Sequence, residues 1–297
     1  MKYGSRFKKM YASKDLLLPV NTKNTSTIER FSVWGPFLKS YYQTKTKPEI
    51  FNNLQSYCMF IGYPRSGHSF LGSLIDAHPN AIIAHELDTL QFIDNSIPFS
   101  RDQIFYLLLA NSRQFAQHGR TWCGYSYEVP GQQQGKYQKL LLIGDKKGGI
   151  STIKLGENIE LINKLKAEIK LPIKTIHVIR NPFDNISTIA IKEGRTLQNA
   201  IDYYFKSVDI NYQLKNKMDV YDVRLEKMIN NPKRQLKGLC NFLNLECGAE
   251  YINACAKITK LSPNKSRHKI NWSPKEINKV NNLVTKYDFL KNYSFSN

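Results

Sequence analysis

The stretch from Tyr57 to Leu90, YCMFIGYPRSGHSFLGSLIDAHPNAIIAHELDTL, constrains the fold more than any other part of the chain. Tyr57 to Ile61 is an apolar run with the length and the β-branched and aromatic content of a buried strand. Gly62-Tyr-Pro-Arg-Ser-Gly67 follows at once, and then Phe70, Leu71, Leu74 and Ile75 recur at helical spacing, which predicts a helix over 66–77. Strand, glycine-bounded loop and helix make a geometry that cradles phosphate. The glycines let the backbone approach the anion, the loop N–H groups turn inward, and the helix N-terminus adds a positive dipole end.

The loop nearly fits the triphosphate template G-x-x-x-x-G-K-[ST]. Gly62, Gly67 and Ser69 fit, but His68 stands where the lysine belongs, and a cation stands instead at Arg65. Histidine is shorter than lysine and mostly neutral at pH 7. The loop therefore suits phosphate but suits triphosphate hydrolysis poorly.

Strand and helix patterns alternate along the rest of the chain. Strands are expected at 81–84, 140–143, 173–179 and 220–225, and helices at 101–117, 157–169, from Pro182 to about Lys192, 196–215, 233–244 and from Pro274. A surface loop is expected over 128–138 and a basic loop over 261–272. This alternation predicts an α/β fold in three layers, a parallel central sheet flanked by helices. Residues 1–50 are basic and aromatic with poor periodicity, and read as an irregular arm; 51–297 read as one domain.

A second strand–turn–helix carries Arg180-Asn-Pro-Phe-Asp-Asn-Ile-Ser187-Thr188. A guanidinium at a strand end can grip phosphate bidentately, and Thr188 adds a hydroxyl two helical turns on. Val223-Arg-Leu-Glu226, with Asn231-Pro232 and the helix after it, reads as structural. The run Ser266-Arg267-His268-Lys269 is a late basic loop.

Together these motifs resemble the sulfotransferases that use 3′-phosphoadenylyl sulfate (PAPS) and release PAP. Pro-Arg-Ser-Gly-x-Ser resembles their 5′-phosphosulfate loop, and Leu-Ile-Asp-Ala-His-Pro at 74–79, with Glu86 soon after, is most similar to the branch that includes the tyrosylprotein enzymes. His68 departs from the threonine usual there. Arg180 and the hydroxyl eight positions on resemble the 3′-phosphate motif. The resemblance covers roughly 57–272 and implies a P-loop NTPase-like sulfotransferase fold. It implies donor contacts from Arg65, Ser66, Gly67, His68, Ser69, Arg180, Ser187, Thr188 and Arg267. It also implies catalytic roles for Arg65 and Lys146 as cations and for Glu86 as the base, with no metal. Sulfuryl transfer needs positioning, cations where negative charge builds, and a base for the acceptor proton. His85 and His118 are rival bases. His85 should point opposite Glu86 on a strand end, and reads as a surface residue.

Charge and cysteine content bound the alternatives. The chain of 297 residues has 43 Lys and Arg against 24 Asp and Glu, a formal charge of +19. Such a balance favours acidic partners: a polyanionic cofactor, nucleic acid, an acidic acceptor or a membrane surface. The lysines are spread rather than blocked, so no nucleic acid is expected as a partner; a basic nucleic-acid-binding protein with a vestigial phosphate loop is the non-enzyme alternative. A degenerate P-loop kinase or NTPase is the enzyme alternative. Against it stand the missing lysine at position 68 and a strand, 176–179, that ends in arginine rather than aspartate. Cysteines 58, 123, 240, 247 and 255 are odd in number without metal-ligand spacing, and read as free thiols. The apolar cluster Leu16–Val20 is too short for a signal or spanning segment, so a soluble, cytoplasmic protein without a transmembrane helix is expected. The sequence leaves the acceptor's class open.

Overall fold

A computed structural model describes residues 27–46, 48–259 and 262–296. The chain begins with α1 (Thr27–Thr46), β1 (Ser56–Gly62), α2 (His68–Asp76), β2 (Ala81–His85), α3 (Leu90–Ile93) and α4 (Arg101–Gln117). A short hairpin, β3 (Thr121–Trp122) and β4 (Tyr125–Ser126), precedes β5 (Leu142–Lys146), α5 (Gly149–Glu157), α6 (Leu161–Ile169) and β6 (Ile173–Ile179). Then come α7 (Pro182–Glu193), α8 (Leu197–Lys215), β7 (Asp219–Arg224), α9 (Leu225–Asn230), α10 (Pro232–Phe242) and α11 (Ala249–Lys257). A 3-10 turn (Ser266–Lys269) and α12 (Pro274–Val284) complete it.

The main sheet has the order β2-β5-β1-β6-β7, and every pairing in it is parallel. Parallel strands bury both faces, which is why they read as continuous apolar runs rather than alternating ones. Along β1, Tyr57, Met59 and Ile61 enter one core with residues of α4, α5 and α6, while Cys58 and Phe60 enter another with residues of α2, α10 and α11. A third core joins α7, α8 and α12 around Phe183, Tyr204 and Val280. The fold is thus α/β in three layers, as the alternation predicts. Among the described residues, no helix is long and apolar enough to cross a membrane.

Four expectations need correction. The strand expected at 140–143 pairs only from Leu142 and continues through Gly144-Asp145-Lys146, which makes Lys146 its last residue. The helix expected over 157–169 begins only at Leu161; Glu157 instead ends a separate helix, Gly149–Glu157, that was not expected, with Asn158 in extended conformation between the two. The irregular arm is helical over Thr27–Thr46; its first 26 residues lie outside the described residues. This helix is held by Phe37 against Phe99 and contains Pro36, and its Trp34, Leu38, Tyr41 and Tyr42 side chains face solvent. Finally, Cys240 and Cys247 form a disulfide, while Cys58, Cys123 and Cys255 are free. The chain reverses after α10 through Asn244, which has positive φ (55°), and this returns Cys247 to the helix end.

Candidate active site

Because the main-sheet strands all run one way, their C-terminal ends share an edge, where open α/β sheets place ligands. There β1 delivers the loop Gly62–Gly67, β2 delivers Glu86, β5 delivers Lys146 and Lys147, and β6 delivers Arg180.

The loop turns on three residues with positive φ: Gly62 (140°), Arg65 (67°) and Gly67 (105°). Three side chains pin its backbone. Thr152 accepts from the Gly62 N–H (2.9 Å), Asn185 Nδ2 donates to the Pro64 carbonyl (2.6 Å), and Ser66 Oγ donates to the Tyr63 carbonyl (2.8 Å). Gly67 caps α2 without a side chain to accept from it. The first-turn N–H groups of such a helix lack intrahelical partners, which leaves them for an anion.

His68 lies beneath this loop rather than over it. Its Nε2 bonds the Ile61 carbonyl (3.1 Å) and its Nδ1 meets Ser66 Oγ (3.2 Å). A carbonyl only accepts, so Nε2 carries a proton, and burial keeps the ring from taking a second one at neutral pH. Burial pushes its pKa down to about 4. The ring fits because two glycines wall it: a Cβ at Gly148 would lie 2.6 Å from Nδ1, and one at Gly62 2.8 Å from Nε2. His68 therefore offers an anion its backbone N–H, not a cation, which weakens the triphosphate alternative.

Arg180 joins the two strand–turn–helix motifs. Nη1 donates to the Arg65 carbonyl (3.2 Å) and to Thr188 Oγ1 (3.1 Å), and Nη2 donates to the Asn264 carbonyl (2.8 Å) and to Ser266 Oγ (3.1 Å). Thr188 completes its bonding by donating to the Asp184 carbonyl (2.7 Å). Its neighbour Ser187 turns elsewhere: it is buried and accepts from Trp272 Nε1 (3.0 Å). Arg267, which the resemblance implies as a donor contact in a basic loop, is buried. Its N–H donates to Asp184 Oδ1 (2.9 Å), Nη1 lies 3.6 Å from Asp184 Oδ2, and Nε has no partner.

On the β2–β5 side, Lys146 spans the loop and the carboxylate. Its buried Nζ donates to Ser69 Oγ (3.0 Å) and to Glu86 Oε1 (2.6 Å). The stem runs over Gly72, where a Cβ would come within 2.8 Å of Lys146 Cγ. Lys147 adds a second cation, 3.3 Å from the Glu86 carbonyl and 3.4 Å from Oε2. Burial would raise the Glu86 carboxyl, but Lys146 and Lys147 overcome it and hold the group below the ordinary glutamate range. The turn after β2 places both Glu86 (φ 61°) and Asp88 (φ 68°) in the left-handed region. Asp145, pushed up to about 6 by burial, ties this turn by accepting from the N–H groups of Leu87 (3.2 Å) and Thr89 (2.7 Å).

The rival bases are placed otherwise. His85 is not a surface residue: its ring stacks on Phe115 (4.0 Å between centroids) and meets Trp122 edge-on (4.9 Å), and its Nε2 is buried without a partner. Burial pushes its pKa well down. His118 ends α4 and bonds the Gln114 carbonyl of its own helix (2.7 Å). Above the loop, Cys123 in the β3–β4 turn has Sγ 3.9 Å from Arg65 Nη1. Lys147, Asp145, Asn185 and Ser266 are the site residues that sequence reasoning missed. Lys147 was visible only as the second of a lysine pair, and nothing in the pattern separated its role from its neighbour's.

A family model described as "Sulfotransferase family" matches residues 59–249, a span that contains all four of these strand ends. The chain belongs to the sulfotransferase family. Among solved structures, the sulfotransferase domain of the Synechococcus PCC 7002 olefin synthase is 15% identical, with a TM-score of 0.48, over 80% of this chain and 96% of that one. Mouse sulfotransferase SULT7A1 complexed with PAP is 17% identical, with a TM-score of 0.42, over 82% and 90%. Sulfotransferase STF1 from Mycobacterium tuberculosis is 13% identical, with a TM-score of 0.45, over 82% and 83%. Likeness at this level adds nothing to the family match. No curated protein matches the chain in sequence.

Proposed function

We propose that this sulfotransferase takes PAPS as donor and transfers its sulfuryl group to an acceptor hydroxyl or amine, with Glu86 as the base. The observation that carries the reading is the 3.2 Å bond from Arg180 to the Arg65 carbonyl, which sets both anion-holding motifs at one end of the sheet. One doubly phosphorylated nucleotide then needs to reach only between neighbouring turns. The uncapped first turn of α2 suits its 5′ end. The Arg180 charge, held by Thr188, and Ser266, with the unpartnered Nε of Arg267 close in sequence, suit its 3′-phosphate.

In this reading the loop N–H groups and Arg65 neutralise the leaving phosphate, and Lys146 supplies a cation between the loop and the base. Glu86, ionised at neutral pH beside two lysines, accepts the acceptor's proton. The reading excludes His68 and Ser187 side chains from donor contact, since both are turned inward. Cytoplasmic action, expected from the sequence, is left out of it, because bonds such as Cys240–Cys247 are rare in reducing compartments.

Glu86→Gln tests the assignment. Transfer should fall at least about 10²-fold while calorimetry finds PAP bound within about twofold of wild type. Transfer at the wild-type rate would remove Glu86 from the mechanism; loss of PAP binding would make it a donor-site residue instead. A screen of acceptors with labelled PAPS, read by mass, identifies the acceptor class.

A further inference from the structure

α1 is fastened to the protein by one side only. Phe37 meets Phe99 edge-on at 5.3 Å, Ser40 is buried, and Gln103 of α4 donates to the Phe37 carbonyl (3.2 Å) and to Ser40 Oγ (3.3 Å). The helical period gathers Trp34, Leu38, Tyr41 and Tyr42, spaced i, i+4, i+7 and i+8, on another face. They are 46, 60, 50 and 66% exposed. Single exposed apolar residues are ordinary on a protein surface, but four large ones on one helical face are not. Lys39 and Lys45 belong to the same helix, and Lys45 Nζ lies 5.6 Å over the Tyr41 ring. From Arg30 to Lys47 the sequence has four cations and no carboxylate, and the first 47 residues hold ten Lys and Arg against two Asp and Glu.

Three kinds of occupant could cover an aromatic, basic face. A second copy in a two-fold contact would set this cationic segment against itself, which repels. A nucleic acid would use the aromatic rings for stacking, but Leu38, at the centre of the patch, gains nothing from a base or a phosphate. A lipid surface uses every part. Tryptophan and tyrosine favour the headgroup level, leucine enters the acyl boundary, and the lysines are drawn to anionic headgroups. We propose that the Trp34–Leu38–Tyr41–Tyr42 face docks the protein onto an anionic bilayer, with α1 lying in the plane of the interface. This is independent of the donor and base assignments above.

Sedimentation of the full chain with phosphatidylcholine vesicles, with and without about a third phosphatidylserine, tests it. The bound fraction should rise with phosphatidylserine and fall with added salt. Leu38→Glu/Tyr42→Glu should cut partition at least about tenfold with the thermal midpoint unchanged. Lys39→Gln/Lys45→Gln should cut it several-fold, and only on the phosphatidylserine vesicles. The proposal is overturned if the chain ignores phosphatidylserine vesicles, or if Leu38→Glu/Tyr42→Glu sediments like wild type. It is equally overturned if, without lipid binding, the same double substitution abolishes a dimer seen by light scattering or a gel shift with single-stranded RNA.

Discussion

Two neighbouring strand–turn–helix units, one after β1 and one after β6, present their hydrogen-bond donors in opposite ways. After β1, the turn has positive φ at Gly62, Arg65 and Gly67, and the helix it opens has no side-chain cap. What it presents is bare backbone, shaped from below by a buried neutral imidazole. After β6, Asn181 caps its own helix by accepting from the Phe183 N–H (3.0 Å), and Pro182 has no N–H to offer. That end offers no N–H at Pro182 and has its Phe183 N–H taken, so in the proposed reading the second unit binds through side chains, the Arg180 guanidinium and Ser266. Similar topology and sequence punctuation therefore do not imply the same source of hydrogen bonds. The first unit depends on what glycine allows, the second on what a guanidinium can reach.

The sharpest way to break this contrast is Gly62→Ala. Its Cβ would meet the Val178 carbonyl at 2.9 Å and the His68 ring, at a φ that side chains rarely adopt. A stability loss of about 2–4 kcal/mol in denaturant titration is expected, with PAP binding lost in calorimetry. Normal binding would mean that the loop backbone is not the cradle. Next in size is Arg180→Lys, which keeps the charge but cannot serve four acceptors in two directions. PAP affinity should fall about 10–100-fold; unchanged affinity would reduce Arg180 to scaffolding.

The smallest effect concerns acid. An imidazole whose folded pKa is about 4, against an ordinary 6.5, takes up protons mainly on unfolding. Its contribution to stability is complete above pH 6.5 and is lost as pH falls from there toward 4. Between pH 7 and pH 5.5, His68 should cost about 1 kcal/mol, isolated as the difference in pH slope between wild type and His68→Gln. His177, pushed down by burial, adds to this acid sensitivity, while Asp145, pushed up to about 6, opposes it. Equal slopes in the two proteins would place His68 in solvent.

The sequence made legible what short range decides. Ile173–Ile179 and Arg101–Gln117 are bounded in sequence as the structure has them, because an apolar run ending at Arg180-Asn-Pro182 and a charged start at Arg101-Asp102 followed by Ile104, Leu107, Leu108 and Phe115 are local signals. Arg65 and Arg180 were found by motif, and the structure brings them together. What distance decides was illegible. His68 occupies a template position that fixes the residue but not its direction, and the ring points down because Gly148, eighty residues later, leaves room. His85 looked exposed because Phe115 and Trp122, which cover it, come from the far end of α4 and the hairpin beyond. The hairpin itself has two-residue strands, too short for any alternation to register. In α1, the usual inference from apolar spacing fails because its apolar face is turned outward.

The imidazole wedged between Gly62 and Gly148 has a mechanical consequence. Gly148 directly follows Lys146 and Lys147, so any ligand that lifts the loop drags on the ring, and the ring drags on the lysine-bearing strand end. In the proposed reading, donor cradle and proton acceptor are then built on one rigid casting. On that reading, an imperfect nucleotide that bends the first half spoils the charge setting of the second, so that discrimination among donors is exercised at a carboxylate that never touches them.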